Sequence, residues 1–133
     1  MKIDGIWDGI LYMENLHHFV QGEKIRIVLL SIDPDLNVSA QVTEEKQTKG
    51  LKLKDFNEEI TYQVVGKIDK QKENLYLTGI KNNEPADQNK RIQIKLRIYP
   101  DKQCMKGVYY MESDPDLQTI IELHKVEDEK KRK

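Results

Sequence analysis

Few side chains in this 133-residue sequence are suited to chemistry, and none stands in a spacing that names a reaction. His17 and His18 are adjacent, and neighbouring positions on a strand point to opposite faces, so one metal ion cannot readily take both there. Neither they nor His124 has the His-x-His spacing or the cysteine partner of a structural zinc site. Cys104 is the single cysteine. It can form no intramolecular disulfide, and a free cysteine usually serves as a small buried hydrophobe. No Gly-rich phosphate loop, nucleophile elbow or zinc-protease motif occurs. No inward carboxylate pair for acid–base work is visible either. The expectation is a non-enzymatic protein with no catalytic residue, no metal and no cofactor.

Lys106 is the most consequential of the candidates. It lies between Cys104 and Val108 on the parity that also carries Tyr110, which strict alternation points inward. An ammonium buried without a partner would be very costly. Three outcomes are open: a β-bulge turns it outward, a carboxylate such as Asp55 or Glu44 pairs with it, or it meets an anionic ligand. Tyr62 and Tyr110 share the inward parity, whereas Tyr12, Tyr76, Tyr99 and Tyr109 share the outward one. An inward tyrosine gives an apolar wall ending in a hydroxyl, which suits a mostly apolar ligand, and it also suits plain core packing. With Trp7 and Leu11, the candidate ligand-binding set is Trp7, Leu11, Tyr62, Lys106 and Tyr110.

The elements that must position these residues are strands. Period-two alternation recurs throughout: Ile3, Gly5, Trp7, Gly9, Leu11 and Met13 form one face, and Ile25, Ile27 and Leu29 another. Leu36, Val38, Ala40 and Val42 follow, then Leu51 and Leu53. Ile60, Tyr62, Val64, Gly66 and Ile68 come next, then Leu75, Leu77 and Gly79, then Ile92, Ile94, Leu96 and Ile98. Leu117, Thr119, Ile121 and Leu123 close the series. Such alternation belongs to antiparallel strands with one solvated face. Asp33-Pro34-Asp35, Lys70 to Asn74, Pro100-Asp101-Lys102 and Ser113 to Asp116 are short polar breaks with turn chemistry. They make consecutive strands neighbours. Residues 15–23 and 82–90 are longer breaks. Asp33-Pro34-Asp35-Leu36 recurs as Asp114-Pro115-Asp116-Leu117, without wider similarity around it, so a repeated turn solution is expected rather than a duplication or a calcium loop.

Eight or nine short strands joined by tight turns must dispose of their edges, and closure does so completely. The expected fold is all-β: a single antiparallel up-and-down barrel of about eight strands over residues 1–126. Residues 127–133 form a wholly charged tail expected to be disordered. A Greek-key sandwich would need a long connection in mid-chain. Gly5-Ile6-Trp7 resembles the Gly-x-Trp opening of the lipocalin, fatty-acid-binding and avidin superfamily, and Trp7-Asp8-Gly9-Ile10-Leu11 resembles the Trp-x-Gly-x-Leu run of lipocalin-like domains. Gly107-Val108-Tyr109-Tyr110 and the closing Glu122-Leu123-His124-Lys125 are similar to the end of such domains. The resemblance implies a tryptophan across the closed floor and ligand entry at the open end. It lacks the lipocalin Thr-Asp-Tyr turn, the late arginine stacked on the floor tryptophan, and the C-terminal helix. Trp7 is the only tryptophan, which argues against a biotin site.

Lys plus Arg number 22 and Asp plus Glu 23, a net charge of −1. Such a balance gives no bulk attraction to nucleic acid or an anionic membrane. Arg91, Lys95, Arg97 and Tyr99 make a basic, aromatic stripe, read here as a solvated strand face rather than a nucleic-acid platform. No signal peptide or membrane helix is evident, and a cytoplasmic protein is expected. The outward parity holds Ile6, Ile10, Val28, Leu30, Val65, Ile80 and Ile120 besides its tyrosines. Strand adjacency would gather Ile6, Ile10, Val28, Leu30 and Ile120 into a patch suited to a homodimer. Binding of a small, mostly apolar ligand is the leading functional expectation, with an interaction or oligomerisation module built on a side-chain-filled barrel as the alternative.

Overall fold

The computed structural model describes residues 3–12, 23–46, 58–80 and 91–126. Eight strands form one closed antiparallel barrel in up-and-down order: β1 (Gly5–Tyr12), β2 (Glu23–Ile32), β3 (Asn37–Lys46), β4 (Glu58–Ile68), β5 (Asn74–Ile80), β6 (Arg91–Tyr99), β7 (Cys104–Met111) and β8 (Thr119–Lys125). Each strand pairs with its neighbour in sequence, and β8 closes on β1 with Leu123 opposite Gly9. The expected barrel is therefore the observed one. No α-helix occurs among the described residues, where a 3-10 turn at Pro100–Lys102 links β6 to β7. No helix among them is long and apolar enough to cross a membrane. Leu51 and Leu53, His17 and His18, Asp55 and the charged residues 127–133 lie outside the described residues.

Period two places one apolar set inside. Ile92, Ile94, Leu96 and Ile98 of β6 are buried, while Arg91, Lys95 and Arg97 between them face water. Ile25, Ile27 and Leu29 of β2 and Val38, Ala40 and Val42 of β3 join them, as do Leu75, Leu77, Ile121 and Leu123. Burying each large aliphatic side chain contributes roughly 1.5–3 kcal/mol. An eight-stranded barrel has an interior that such side chains can fill.

Two of the tight turns share one device. Asp33 Oδ1 accepts from the backbone N–H groups of Asp35 and Asn37, and its Oδ2 accepts from Asn37 Nδ2. Asp69 Oδ1 accepts from Glu73 and Asn74 N–H, and Oδ2 from Asn74 Nδ2. These hydrogen bonds hold both carboxyls below the usual range, with the Asn37 backbone N–H the leading cause at Asp33 and the Asn74 side chain at Asp69. Both copies of the repeated Asp-Pro-Asp-Leu close the same turn, with Leu36 N–H donating to Asp33 O at 2.9 Å and Leu117 N–H to Asp114 O at 3.1 Å. Leu36 and Leu117 thus belong to turns and not to strands, which begin at Asn37 and Thr119.

The turns after β2, β4 and β6 lie with Trp7 at one end of the barrel, whereas β1, β3, β5 and β7 end at the other, where the Asp114 turn joins β7 to β8. Trp7 is fully buried, and its Nε1 donates to Ile3 O at 2.8 Å. Lys125, its partner across the β1–β8 seam, lies 5.2 Å from the indole centroid and donates to Asp4 O at 2.6 Å. A lysine on the last strand thus covers the floor tryptophan, where the resemblance calls for an arginine. Gly5 at the start of β1 has φ +117°, a conformation that a side chain would strain.

Candidate ligand-binding site

At the other end, one polar group enters the apolar interior. Glu44 continues the inward parity of Val38, Ala40 and Val42 on β3, between Ile25 of β2 and Ile60 of β4, and is 2 % exposed. Tyr62 on β4 sits diagonally to it and donates its hydroxyl to Glu44 Oε2. Tyr109 reaches the same oxygen from β7, on the opposite wall, at 2.6 Å. The barrel order puts β4, β5 and β6 between β3 and β7, so this hydrogen bond crosses the lumen and does not follow the wall. Both tyrosines are buried.

Burial, and after it the charge of Glu44, pushes both phenols above the ordinary tyrosine range. Glu23 adds negative charge near Tyr109. The two tyrosines are therefore held neutral and act as donors. Ile60 and Met111 pack against the core near this level as partly buried apolar residues. Among the described side chains, Glu44 is the buried charged one.

Of the sequence-derived candidates, Trp7, Leu11 and Tyr62 lie inside. Trp7 belongs to the floor, while Tyr62 belongs to the polar bridge. Lys106 and Tyr110 do not belong to the lumen. The inward parity of β7 is Met105, Gly107 and Tyr109, and its pairing with β6 runs in unbroken register from Cys104 to Met111. No bulge is needed to turn Lys106 out. Its side chain is 55 % exposed, 3.7 Å from Glu122 on β8, and Glu122 also accepts from Tyr12 OH at 2.5 Å. Glu44 is not its partner. Tyr110 lies on the outer face, where Lys95 Nζ stands 5.6 Å from its ring centroid. Tyr109, expected outside, is inside. Cys104, expected inside, is half-buried on the outer parity opposite His124.

Gly107 explains why β7 misleads. A Cβ there would stand 1.8 Å from Lys95 O. The inward position must be empty so that β6 can approach, and the alternation of apolar residues lapses at the point where it would fix the parity. Glu44 was legible as the next inward position after Val42. Tyr109 had no comparable signal.

The outer apolar residues are arranged less simply than strand adjacency implies. Ile6 faces Val28 across β1–β2, but Ile10 lies between Lys24 and Glu122. Asp8 stands between Ile6 and Ile10, bound by Arg26 through two contacts of 2.6 and 2.8 Å. A concavity of about 750 Å³ opens outside the wall here, lined by Asp8, Ile10, Lys24, Arg26, Glu45 and Glu59 among others. No protein-family model, curated protein or solved structure matches this chain.

Proposed function

We propose that the protein is a non-enzymatic, calycin-type binding barrel for a small, mostly apolar molecule entering at the end opposite Trp7. The observation that carries this reading is the Glu44–Tyr62–Tyr109 bridge across an otherwise apolar lumen. Taking a carboxylate out of water costs several kcal/mol, and a hydrophobic residue of similar volume often serves stability better. A polar group kept at such a place supplies orientation to a ligand that the apolar walls hold without direction. Leu11, Tyr62 and Tyr109, with Ile60 and Met111, would contact it, and Glu44 would set its polar end. Trp7 under Lys125 forms the floor, the arrangement that supports assigning the barrel to the lipocalin-like type.

Native mass spectrometry of protein purified from its own host tests this reading. A retained non-covalent mass of a few hundred daltons is the expected result. A clean unliganded mass under conditions that keep a control barrel's ligand bound would overturn it.

Self-association is a second reading, favoured by Leu30, 52 % exposed beside the facing Ile6 and Val28; Ile10, 42 % exposed, lies beyond the Asp8–Arg26 ion pair. It is compatible with the first. Sedimentation should show a wild-type dimer that Ile10→Glu with Leu30→Glu converts to a folded monomer. A monomeric wild type at high concentration rejects it.

A further inference from the structure

The chemistry of the bridge goes beyond apolarity and chooses the sign of the ligand's head group. We infer that the lumen selects an apolar amine, bound as its ammonium, over a neutral or carboxylate-headed molecule of the same chain length; this rests on the binding reading above.

Both phenol hydroxyls donate to one oxygen of Glu44, and burial keeps both phenols protonated, so their protons are already committed to the carboxylate. An incoming carboxylate would find its hydrogen-bond donors engaged and a like charge beside them. Glu23 extends the negative charge toward Tyr109 from β2. The cation that is described on the inward parity of the closing strand, Lys125, lies at the far end over Trp7 and donates to Asp4. An ammonium gains where a carboxylate loses, because charge-assisted hydrogen bonds to an ionised acceptor are about twice as strong as neutral ones. The alkyl part meets Leu11, Ile60 and Met111. The selection depends on the charge at Glu44 and not on any unfilled valence of that group.

The test is calorimetric titration of the intact chain with decylamine, decanol and decanoate at neutral pH, each below its micelle concentration. Decylamine should bind at least tenfold more tightly than decanol, and decanoate more weakly than decanol. Glu44→Gln should reduce the ratio of decylamine to decanol affinity at least fivefold. Glu23→Gln, altered at a half-buried position, should reduce it less and provides the readout if Glu44→Gln does not fold. Equal affinity for the three probes, or a preference for decanoate, overturns the selectivity and leaves the binding barrel standing. Binding of none of them overturns both.

Discussion

Replacing Tyr109 with Phe removes one oxygen and leaves the ring, so it isolates the cross-lumen hydrogen bond from packing. The bond is 2.6 Å long, its acceptor is a carboxylate that is 2 % exposed, and its donor is buried. A hydrogen bond to a charged group of this kind contributes about 1.5–3 kcal/mol. For a domain of this size that corresponds to a fall in melting temperature of roughly 5–12 °C. Tyr62→Phe should cost a similar amount. The double variant should cost more than the sum, because the second change takes away the remaining phenol donor to Glu44 Oε2. Urea unfolding followed by the fluorescence of Trp7 measures this directly: midpoints should fall with an unchanged slope. Tyr76→Phe, on the outer face, is the control and should lie within about 0.5 kcal/mol of wild type. If both lumen variants also lie within about 0.5 kcal/mol, water satisfies Glu44 equally well and the bridge is not a buried element.

Three further outcomes follow from the geometry. Burial and the charge of Glu44 raise the folded pKa values of Tyr62 and Tyr109 above the ordinary phenol value of about 10, so the stability tied to their neutral forms is complete below the unfolded pKa and lost as pH rises beyond it; ultraviolet titration should show both ionising only on alkaline unfolding. Asp69 has a depressed folded pKa, so its contribution is present above the unfolded value and lost as pH falls through the folded one; Asp69→Ala should flatten the acid limb of a stability–pH curve measured by urea unfolding. Gly107→Ala places a Cβ 1.8 Å from Lys95 O and must push β6 from β7, at a cost of about 3 kcal/mol or more, seen as a lowered melting temperature.

The barrel was legible because its core rests on one repeated rule, and the rule is strongest where both parities are distinct, as in Arg91-Ile92-Gln93-Ile94-Lys95-Leu96-Arg97-Ile98. It failed on β7. There Met105, Gly107, Tyr109 and Met111 face one way and Cys104, Lys106, Val108 and Tyr110 the other, so each set is partly apolar. Lys106 was the deciding signal, since an outward lysine requires nothing while an inward one requires a partner. The polar bridge was half legible. Alternation alone sends Glu44 inward after Val42, but that Tyr109 meets it depends on the opposite wall, a relation no local pattern carries. The paired aspartate turns hide for a different reason: Asp33 and Asn37 are four residues apart, Asp69 and Asn74 five, so no common spacing announces the shared device.

The clasp around Trp7 has a consequence for how quickly the native chain comes apart. Seven of the eight strand pairings join neighbours in sequence, and only β1 with β8 closes across the length of the chain. The loop-closure entropy of that pairing weighs late in folding, after the hairpins set by Asp33 and Asp69 have formed. Lys125 over Trp7, its bond to Asp4, and the Val126 N–H to Ile6 O bond at 2.9 Å all lie on this seam. Contacts absent from the transition state act on unfolding and not on folding. Lys125→Met should therefore accelerate unfolding in stopped-flow experiments while leaving the refolding limb nearly unmoved. The last strand acts as a latch: it determines how long the barrel stays closed more than how fast it forms.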